Sequence, residues 1–444
     1  MLELRLGFEF FSQILEFRRR KSMLIEFTVG NYRSFKDRVT LSMVAENLVS
    51  KDKEIDESNI FKVDKKLSLL KSASIYGANA SGKSNIAKAL QFMKSFMLNS
   101  SRETQSTDDI EVEPFLLSTE TEYAPSFFEI VFLLNSQRYR YGFEATTERV
   151  VSEWLYYVPK TRETNLFDRN STAIKPSKTF HADGIESKTR QNALFLSVSA
   201  QFNVEIAEKI LGFIKRNIRI ISGLDNSYLG YSLECIAEGR YQDEILNFIK
   251  NLDLGINDVK VSQSELTMDN LPKSLPEKLR QLIVDQGKGK ATSVKTSHRK
   301  FSLDGSIDSI IDFEFSDHES EGTQKILALA GPIVNTLKTG ETLIVDELDA
   351  KLHPLLSHAI IKLFNSNVSN PNNAQLIFMT HDTNLLSNKV FRRDQIWFTE
   401  KKRTGETDLY SLAEYPVRND ASFESDYIKG KYGAVPYIGD LQFI

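Results

Sequence analysis

The sequence lacks several features that would place it in a specialised class. Cys235 is the single cysteine among 444 residues, so no internal disulfide can form and a reducing compartment fits best. No apolar run approaches the roughly 18–20 residues of a membrane span. The net charge of −4 excludes a uniformly basic nucleic-acid binder. We therefore expect a cytoplasmic protein that does not associate with membranes.

The chain also lacks sustained heptads and long low-complexity tracts. Residues 1–22 are apolar first and basic afterwards, which is the reverse of a secretory signal, whereas Met23 begins a strand-like segment. We expect residues 1–22 to be a non-structural N-terminal extension added by an upstream start codon. A short amphipathic helix used for assembly is the alternative.

One motif fits the phosphate-binding loop pattern, namely residues 77–84 with the sequence GANASGKS. Strand-like residues precede it and a helix-like stretch (Asn85–Met97) follows it, as that loop requires. The glycines would let backbone N–H groups surround phosphate oxygens at the positive end of the helix. A Gly/Ser-rich surface turn that binds nothing is the alternative. The residues predicted to contact nucleotide are Gly77, Asn79, Ser81, Gly82, Lys83 and Ser84, with Lys83 on the β- and γ-phosphates and Ser84 on Mg²⁺.

The remaining pattern predicts an α/β fold with a divided nucleotide-binding domain. Residues 23–150 form its first half, including a hairpin that predicts an antiparallel β subdomain. Residues 151–304 read as an inserted, mostly helical arm or lid. Strand–helix alternation returns over residues 305–444, which indicates a mainly parallel sheet.

Acidic residues end the strand-like stretch Thr342–Val345 in this second half. Asp346 at that position would order Mg²⁺ beside the phosphate loop, and Glu347 would accept a proton from the attacking water. The alternative is that these acids only cap the next helix. A turn with the sequence SEGT (residues 320–323) precedes a helix 26 residues before Asp346, and His381 ends the following strand.

The order of these motifs resembles the ABC-type ATPase superfamily, within its SMC-like and OLD-like branch. Residues 31–35 (NYRSF) resemble the N-terminal motif of that branch. By this resemblance, Ser320 and Gly322 would contact the γ-phosphate bound by a partner subunit. Asp349 would be the D-loop acid and His381 the switch that senses the γ-phosphate. The residues expected to act in catalysis are Glu347, Lys83 and His381, and the further nucleotide contacts are Arg33, Gln201, Ser320, Gly322, Thr323 and Asp349.

The match departs from the family pattern at two places. Glu319 and Glu321 replace a hydrophobic residue and a glycine of the signature, and negative charge beside a triphosphate is unfavourable unless it points away. The glutamine that links magnesium to the arm is also hard to identify. Gln201, which follows the strand-like segment Ala193–Val198, is the candidate.

The tail, residues 426–436 (DYIKGKYGAVP), resembles the C-terminal motif of stand-alone bacterial anti-phage ATPases. These include abortive-infection proteins and the ATPase subunit of the phage anti-restriction-induced system. The resemblance implies a homodimer or higher homo-oligomer that binds ATP and Mg²⁺. It also implies a sensor or regulator of a separately encoded effector, a Toprim-like or other nuclease.

Other functions of this chain stay open at this point. Because 63 residues follow His381 and they show no paired-acid metal site, we expect no nuclease activity in this polypeptide. Contact with DNA or with a phage protein is left open. The alternative functions are an SMC-like DNA-binding or DNA-repair ATPase and a module that binds ATP without turnover.

Overall fold

The computed structural model describes residues 22–224, 226–265, 267–268, 276–285, 290–418 and 420–437. Apart from Ser22, the expected N-terminal extension lies outside these residues. The described chain divides into two compact units. The first contains the residues up to Ile221, Thr336–Asp349 and the residues from Ser357 onward; the second contains Ser222–Asn335 and Ala350–Leu356.

Strands and helices alternate along much of the described chain. The strands are β1 (Met23–Gly30), β2 (Val39–Ser42), β3 (Ile60–Lys62), β4 (Ser68–Leu70), β5 (Ser72–Tyr76), β6 (Ser126–Leu134), β7 (Gln137–Ala145), β8 (Val150–Val158), β9 (Thr164–Arg169), β10 (Ile174–Pro176), β11 (Ile218–Ser222), β12 (Asp258–Glu265), β13 (Lys290–Phe301), β14 (Ile307–Glu314), β15 (Thr342–Asp346), β16 (Gln375–Met379), β17 (Ile396–Lys401) and β18 (Thr407–Ser411). The helices are α1 (Lys53–Ser58), α2 (Lys83–Asn99), α3 (Phe195–Gln201), α4 (Glu205–Asn217), α5 (Leu229–Ala237), α6 (Gln242–Lys250), α7 (Glu277–Asp285), α8 (Phe315–His318), α9 (Glu321–Thr339), α10 (Pro354–Asn365) and α11 (Phe423–Ile428). None of these helices combines the length and apolarity that a membrane crossing requires.

Two large sheets build the first unit. The seven-stranded sheet is antiparallel and has the order β10-β9-β8-β7-β6-β1-β2. The six-stranded sheet has the order β11-β15-β16-β5-β17-β18. Its strand β5 pairs in parallel with both β16 and β17, and β16 pairs in parallel with β15. The predicted α/β fold, with a mainly parallel sheet and an antiparallel β subdomain, is confirmed.

Local chemistry explains the elements that surround the candidate site. The β6–β7 hairpin turns at Asn135 and Ser136, whose φ angles of 54° and 66° fit the tight turn that right-twisted strands prefer. Helix α2 carries a buried stripe at helical spacing, formed by Ile86, Leu90 and Met93. This stripe packs in the same core as the inner residues of the seven-stranded sheet, which fixes α2 behind the phosphate loop.

The second unit is mixed rather than mostly helical. Its antiparallel sheet has the order β12-β13-β14. Helices α5 and α6 contribute Leu233, Ile236 and Ile245 to a core that also includes Leu327 of α9. The unit therefore has a hydrophobic core of its own.

The expected boundary of this insertion at residue 151 was wrong. Strands β8, β9 and β10 continue the seven-stranded sheet, and the second unit begins at Ser222. The reason is that β8 pairs with β7 along its whole length and buries Leu155 completely. The second unit also extends beyond the expected end at residue 304, through most of α9.

The segment Ala193–Val198 was also assigned wrongly, because it lies mostly in helix α3 rather than in a strand. The buried carboxylate of Glu153 accepts hydrogen bonds from the backbone N–H groups of Phe195 (2.6 Å) and Leu196 (2.9 Å). A side chain 42 residues away thus satisfies the start of the helix, and the local sequence gives no sign of that contact.

We predict that Gln375 is a major stabiliser of the first unit. Its buried amide accepts from Leu24 N (3.0 Å) and Thr342 Oγ1 (3.0 Å) and donates to Leu24 O (3.0 Å) and Leu70 O (3.3 Å). Gln375→Leu leaves buried backbone groups of Leu24 without partners and should lower the free energy of unfolding by about 2–4 kcal/mol. Denaturant unfolding measures this change.

The matched control for this prediction is Gln191→Leu, because Gln191 is an exposed glutamine of the same unit. It should change the free energy of unfolding by less than about 0.5 kcal/mol. Equal effects of the two substitutions would contradict the role of Gln375.

Candidate nucleotide-binding site

The glycines of the phosphate loop lie against side chains of β17 and β18. A Cβ atom at Gly77 would lie 2.4 Å from the backbone oxygen of Thr399. A Cβ atom at Gly82, whose φ is 106°, would lie 2.4 Å from Thr407 Oγ1. Only glycine fits at either position. Thr399 and Thr407 were missed by sequence reasoning, since no local pattern marks them.

The same two threonines hold Ser81. Ser81 Oγ lies 2.7 Å from Thr399 Oγ1, and Ser81 O accepts from Thr407 Oγ1 at 2.8 Å. Asn79 stays exposed at the tip of the loop. Helix α2 begins after Gly82 with no side-chain cap and no acid in its first turn. Its N–H groups and positive end therefore face the loop, which suits an anion.

Lys83 is buried and held by carbonyl oxygens of the loop. Its Nζ donates to Gly77 O (2.8 Å) and Ala78 O (3.0 Å). Burial lowers the pKa of Lys83 to about 8, although the negative charges of Glu347 and Asp346 raise it. A phosphate at this position would offer the ammonium group a stronger, charged acceptor than the two carbonyls.

Ser84 and Asp346 are brought together as the sequence predicts. Ser84 Oγ donates to Asp346 Oδ1 at 3.1 Å, which joins the start of α2 to the end of β15. Hydroxyl and carboxylate oxygens are ligands that Mg²⁺ prefers, usually with water and substrate phosphate completing its shell. Within the described ranges, no group of three or more His, Cys, Asp or Glu could hold a metal. The hydroxyl of Ser84 and the carboxylate of Asp346 fit two ligand positions of a magnesium ion.

Glu347, Asp349 and His381 lie at the same edge of the sheet. Glu347 follows β15 with a left-handed φ of 55°, and it is half-buried. Asp349 Oδ2 accepts from the backbone N–H of His381 at 3.3 Å. Partial burial of the imidazole and then the positive charge of Lys83 lower the pKa of His381, although the residue as a whole is exposed. His381 is therefore neutral near neutral pH.

The parallel sheet explains why these residues meet. The carboxyl ends of β5, β15 and β16 lie at one edge, and ligands of open α/β sheets bind at that edge. Thr380 N donates to Ile75 O at 3.1 Å, and Leu348 N donates to Met379 O at 3.1 Å. These bonds hold the segments that carry His381 and Asp349 beside the phosphate loop.

The N-terminal NYRSF motif supports the loop through Ser34 rather than Arg33. Ser34 Oγ accepts from Asn85 Nδ2 at 2.7 Å, and Ser34 O accepts from Thr407 N at 2.7 Å. Arg33 is instead ion-paired with Glu113. The nucleotide contact of Arg33 stays a prediction.

The signature turn belongs to the second unit and begins helix α9. Ser320 is exposed, and its Oγ accepts from Thr323 N at 3.1 Å, which caps the helix. A Cβ atom at Gly322 would lie 2.8 Å from the backbone oxygen of Lys351, so this position also requires glycine. The hydroxyl of Thr323 lies 2.9 Å from that of Ser320.

The two acids that depart from the family pattern are paired within the second unit. Glu319 Oε1 accepts from Thr296 Oγ1 at 2.6 Å and lies 2.7 Å from His298 Nε2. Lys351 Nζ lies 3.2 Å from Glu321 Oε2. Lys351 therefore places a positive charge beside Glu321, and Glu319 is hydrogen-bonded to groups of its own unit.

Gln201 ends helix α3 with an exposed side chain. No hydrogen bond among the described residues joins it to the phosphate loop. Its predicted role as the magnesium-linked glutamine stays a prediction.

Solved structures of low identity cover nearly the same length. An SMC head bound to the C-terminal winged-helix domain of ScpA is 13% identical, covers 88% of this chain and 98% of its own, and has a TM-score of 0.44. An SMC head from Thermotoga maritima is 12% identical over 88% and 98% of the two chains, with a TM-score of 0.39. The recombination mediator RecF is 13% identical over 87% and 98%, with a TM-score of 0.33. No curated protein matches the chain.

A family model gives the assignment. It matches residues 72–387 and is described as "AAA domain, putative AbiEii toxin, Type IV TA system". The match spans more than half of the chain and includes the phosphate loop, Asp346 and His381. The chain therefore belongs to this family of AAA-domain proteins.

Proposed function

We propose that the chain binds ATP with Mg²⁺ and hydrolyses it as a homodimer or higher homo-oligomer. We further propose that this cycle regulates a separately encoded effector, a Toprim-like or other nuclease, in bacterial anti-phage defence. The observation that carries the proposal is the contact between Ser84 and Asp346 beside the buried Lys83. Membership of the AAA-domain family supports it.

The chain's own residues would divide the chemistry as follows. Lys83 would exchange the carbonyls of Gly77 and Ala78 for phosphate oxygens, and Ser84 and Asp346 would hold Mg²⁺. The ion, when bound, supplies positive charge against the developing charge on the phosphates. Glu347 would orient the attacking water and accept its proton.

His381 would complete this arrangement as a neutral hydrogen-bonding group. Its backbone is fixed to Asp349, and its pKa lies below the ordinary value. A neutral imidazole can approach the γ-phosphate as a donor without adding charge of its own. Catalysis would then rest on positioning and electrostatics rather than on covalent chemistry.

A second copy of the chain would supply the signature turn. Ser320 is exposed at the start of a 19-residue helix, and the neighbouring acids are paired within their own unit. The hydroxyl and the helix N-terminus can therefore meet the γ-phosphate held by another copy. ATP would act as the ligand that stabilises the closed dimer, and hydrolysis would release it.

The regulatory role rests on the family and on the tail motif. The family description names a toxin of a two-component toxin–antitoxin system, which fits a chain that acts with a second gene product. The ATP-driven change between dimer states could expose or hide a surface for that effector.

Glu347→Gln should lower kcat for ATP by about 10²–10⁴-fold with little change in KM, because the base is lost while the nucleotide contacts remain. Steady-state phosphate release measures this. The control is Lys83→Ala, which should abolish nucleotide binding itself. Turnover by Glu347→Gln at the wild-type rate would contradict the assigned base.

Two inactive variants should restore activity when mixed, if the site is shared between copies. Ser320→Arg removes the signature and Lys83→Ala removes the phosphate loop, so each homodimer has no complete site. Equal mixing makes half of the dimers mixed, each with one intact site, and about a quarter of the wild-type sites should return. If the mixture stays as inactive as each variant alone, each chain completes its own site.

Phage protection should depend on ATP turnover. Phage should form fewer plaques on cells that express the protein with its genomic neighbours, and Glu347→Gln should abolish this protection. Gln191→Leu, an exposed control, should keep it. Full protection by Glu347→Gln would contradict a turnover-driven role.

ATP-stimulated DNA binding in a filter assay, without protection, would instead favour the SMC-like DNA-repair function.

A further inference from the structure

Tyr76 closes β5 directly before the phosphate loop and is 1% exposed. Its ring lies against Tyr427 of α11, with ring centroids 6.2 Å apart, and against Phe398 of β17 at 6.4 Å. Tyr427 and Phe398 are stacked at 5.4 Å. The C-terminal segment therefore covers the ring of Tyr76 and fixes its orientation.

The hydroxyl of Tyr76 is buried and has no hydrogen-bond partner among the residues that the structure describes. Ser74, two residues earlier on the same strand, has the smallest of the effects on the pKa of Tyr76, which it lowers, and its own hydroxyl donates to Gln395 O at 3.2 Å. A buried hydroxyl without a partner is costly, and phenylalanine would fill the same space without that cost.

Two buried carboxylate oxygens nearby also have no hydrogen-bond partner among the described residues. Asp349 uses Oδ2 for His381 N and leaves Oδ1 without a partner. Asp382 uses Oδ1 for Asn384 N (3.0 Å) and leaves Oδ2 without one within the described chain. Each acid therefore presents one oxygen that has no partner among the described residues. Asp349 is hydrogen-bonded to the backbone N–H of His381, and Asp382 follows His381 in the chain.

The sheet places these groups close to Tyr76. Met379 pairs with Ile75, and Thr380 N donates to Ile75 O at 3.1 Å, so the segment that leads to Asp382 leaves β16 beside the end of β5 that carries Tyr76. Burial raises the pKa of Tyr76, and the negative charges of Asp382 and Asp349 raise it further. The phenol stays protonated and can act only as a donor toward these carboxylates.

We propose that the Tyr76 hydroxyl is a positioning group that donates to the Asp349–Asp382 carboxylates when nucleotide is bound and so fixes His381, whose backbone N–H is bonded to Asp349. The inference rests on the proposed ATPase function. Tyr76 is bonded to Gly77, whose carbonyl holds Lys83 in the structure. When Lys83 turns to phosphate, that carbonyl is released, and a small shift of the strand end brings the donor to its acceptors.

Tyr76→Phe separates this role from a structural one. It keeps the ring contacts and removes only the hydroxyl, so kcat for ATP should fall at least tenfold and KM should stay within twofold. The melting temperature should be unchanged or higher, because an unpaired buried group is removed. A lower melting temperature together with the lower kcat would assign the hydroxyl a structural partner such as Ser74 and would overturn the proposal.

The matched control is Tyr427→Phe in the same aromatic cluster. Its hydroxyl does have a partner, since it donates to Ala434 O at 3.0 Å. This variant should show the opposite pattern, with a lower melting temperature and a kcat within twofold of wild type. The same loss of kcat in both variants would overturn a specific role for Tyr76.

Double variants test the acceptors. Tyr76→Phe is combined with Asp349→Asn in one double variant and with Asp382→Asn in another. If Tyr76 acts through the acids, at least one of these double variants should have a kcat no lower than that of the less active of its two single variants. Multiplicative losses in both pairs would overturn the proposal. A wild-type protein without ATP turnover would overturn the ATPase function and this inference together, whereas an active wild type with an equally active Tyr76→Phe would overturn this inference alone.

Discussion

The pairing of β5 with its two parallel neighbours determines where every candidate site residue lies. The phosphate loop follows the end of β5, and the segment that carries His381 follows the end of β16. Asp346 and Glu347 lie at the end of β15. Side chains alternate along a strand, so a slip of one residue between β5 and β16 would move Ile75 and Tyr76 to the opposite faces of the sheet. The backbone bond from Thr380 to Ile75 and the buried amide of Gln375 at the other end of β16 both oppose such a slip.

The parts of the site that follow one another locally could be predicted from the sequence. The phosphate loop needs a strand, a glycine-rich turn and a helix within about 25 residues, and each has a local pattern. Asp346 and His381 could be predicted for the same reason, because each ends a short apolar strand. Thr399 and Thr407 could not, because nothing in their own segments shows that Gly77 and Gly82 will pack against them. Their role exists only in the folded sheet.

The wrong assignments of the segment Ala193–Val198 and of strand β8 also come from contacts between distant parts of the chain. The short apolar segment before Gln201 resembles a strand, yet the buried carboxylate of Glu153 supplies the acceptors that a helix start needs. Strand β8, which carries Glu153, was itself placed in the insertion. Because β8, like β9 and β10, was assigned to the wrong unit, the helix that depends on Glu153 could not be predicted either.

The signature turn shows how a departure from a family pattern can be compensated within the chain. Glu319 and Glu321 would repel a triphosphate if their charges stood free. The structure turns Glu319 toward Thr296 and His298 and places Lys351 beside Glu321. The compensating groups lie outside the turn, in β13 and in the short segment that follows Asp349.

Several buried polar groups at this edge of the sheet lack, within the described chain, the partners that would stabilise them, and a bound nucleotide would supply such partners. Lys83 is buried among carbonyls with its pKa lowered to about 8, and each unit of lowering corresponds to about 1.4 kcal/mol of disfavoured charge. Asp349 and Asp382 each leave one buried oxygen without a partner in the described structure. A triphosphate bound as proposed above would give Lys83 a charged partner. The free energy that these groups cost would then be coupled to nucleotide binding, which is the condition for a ligand to shift a conformational equilibrium.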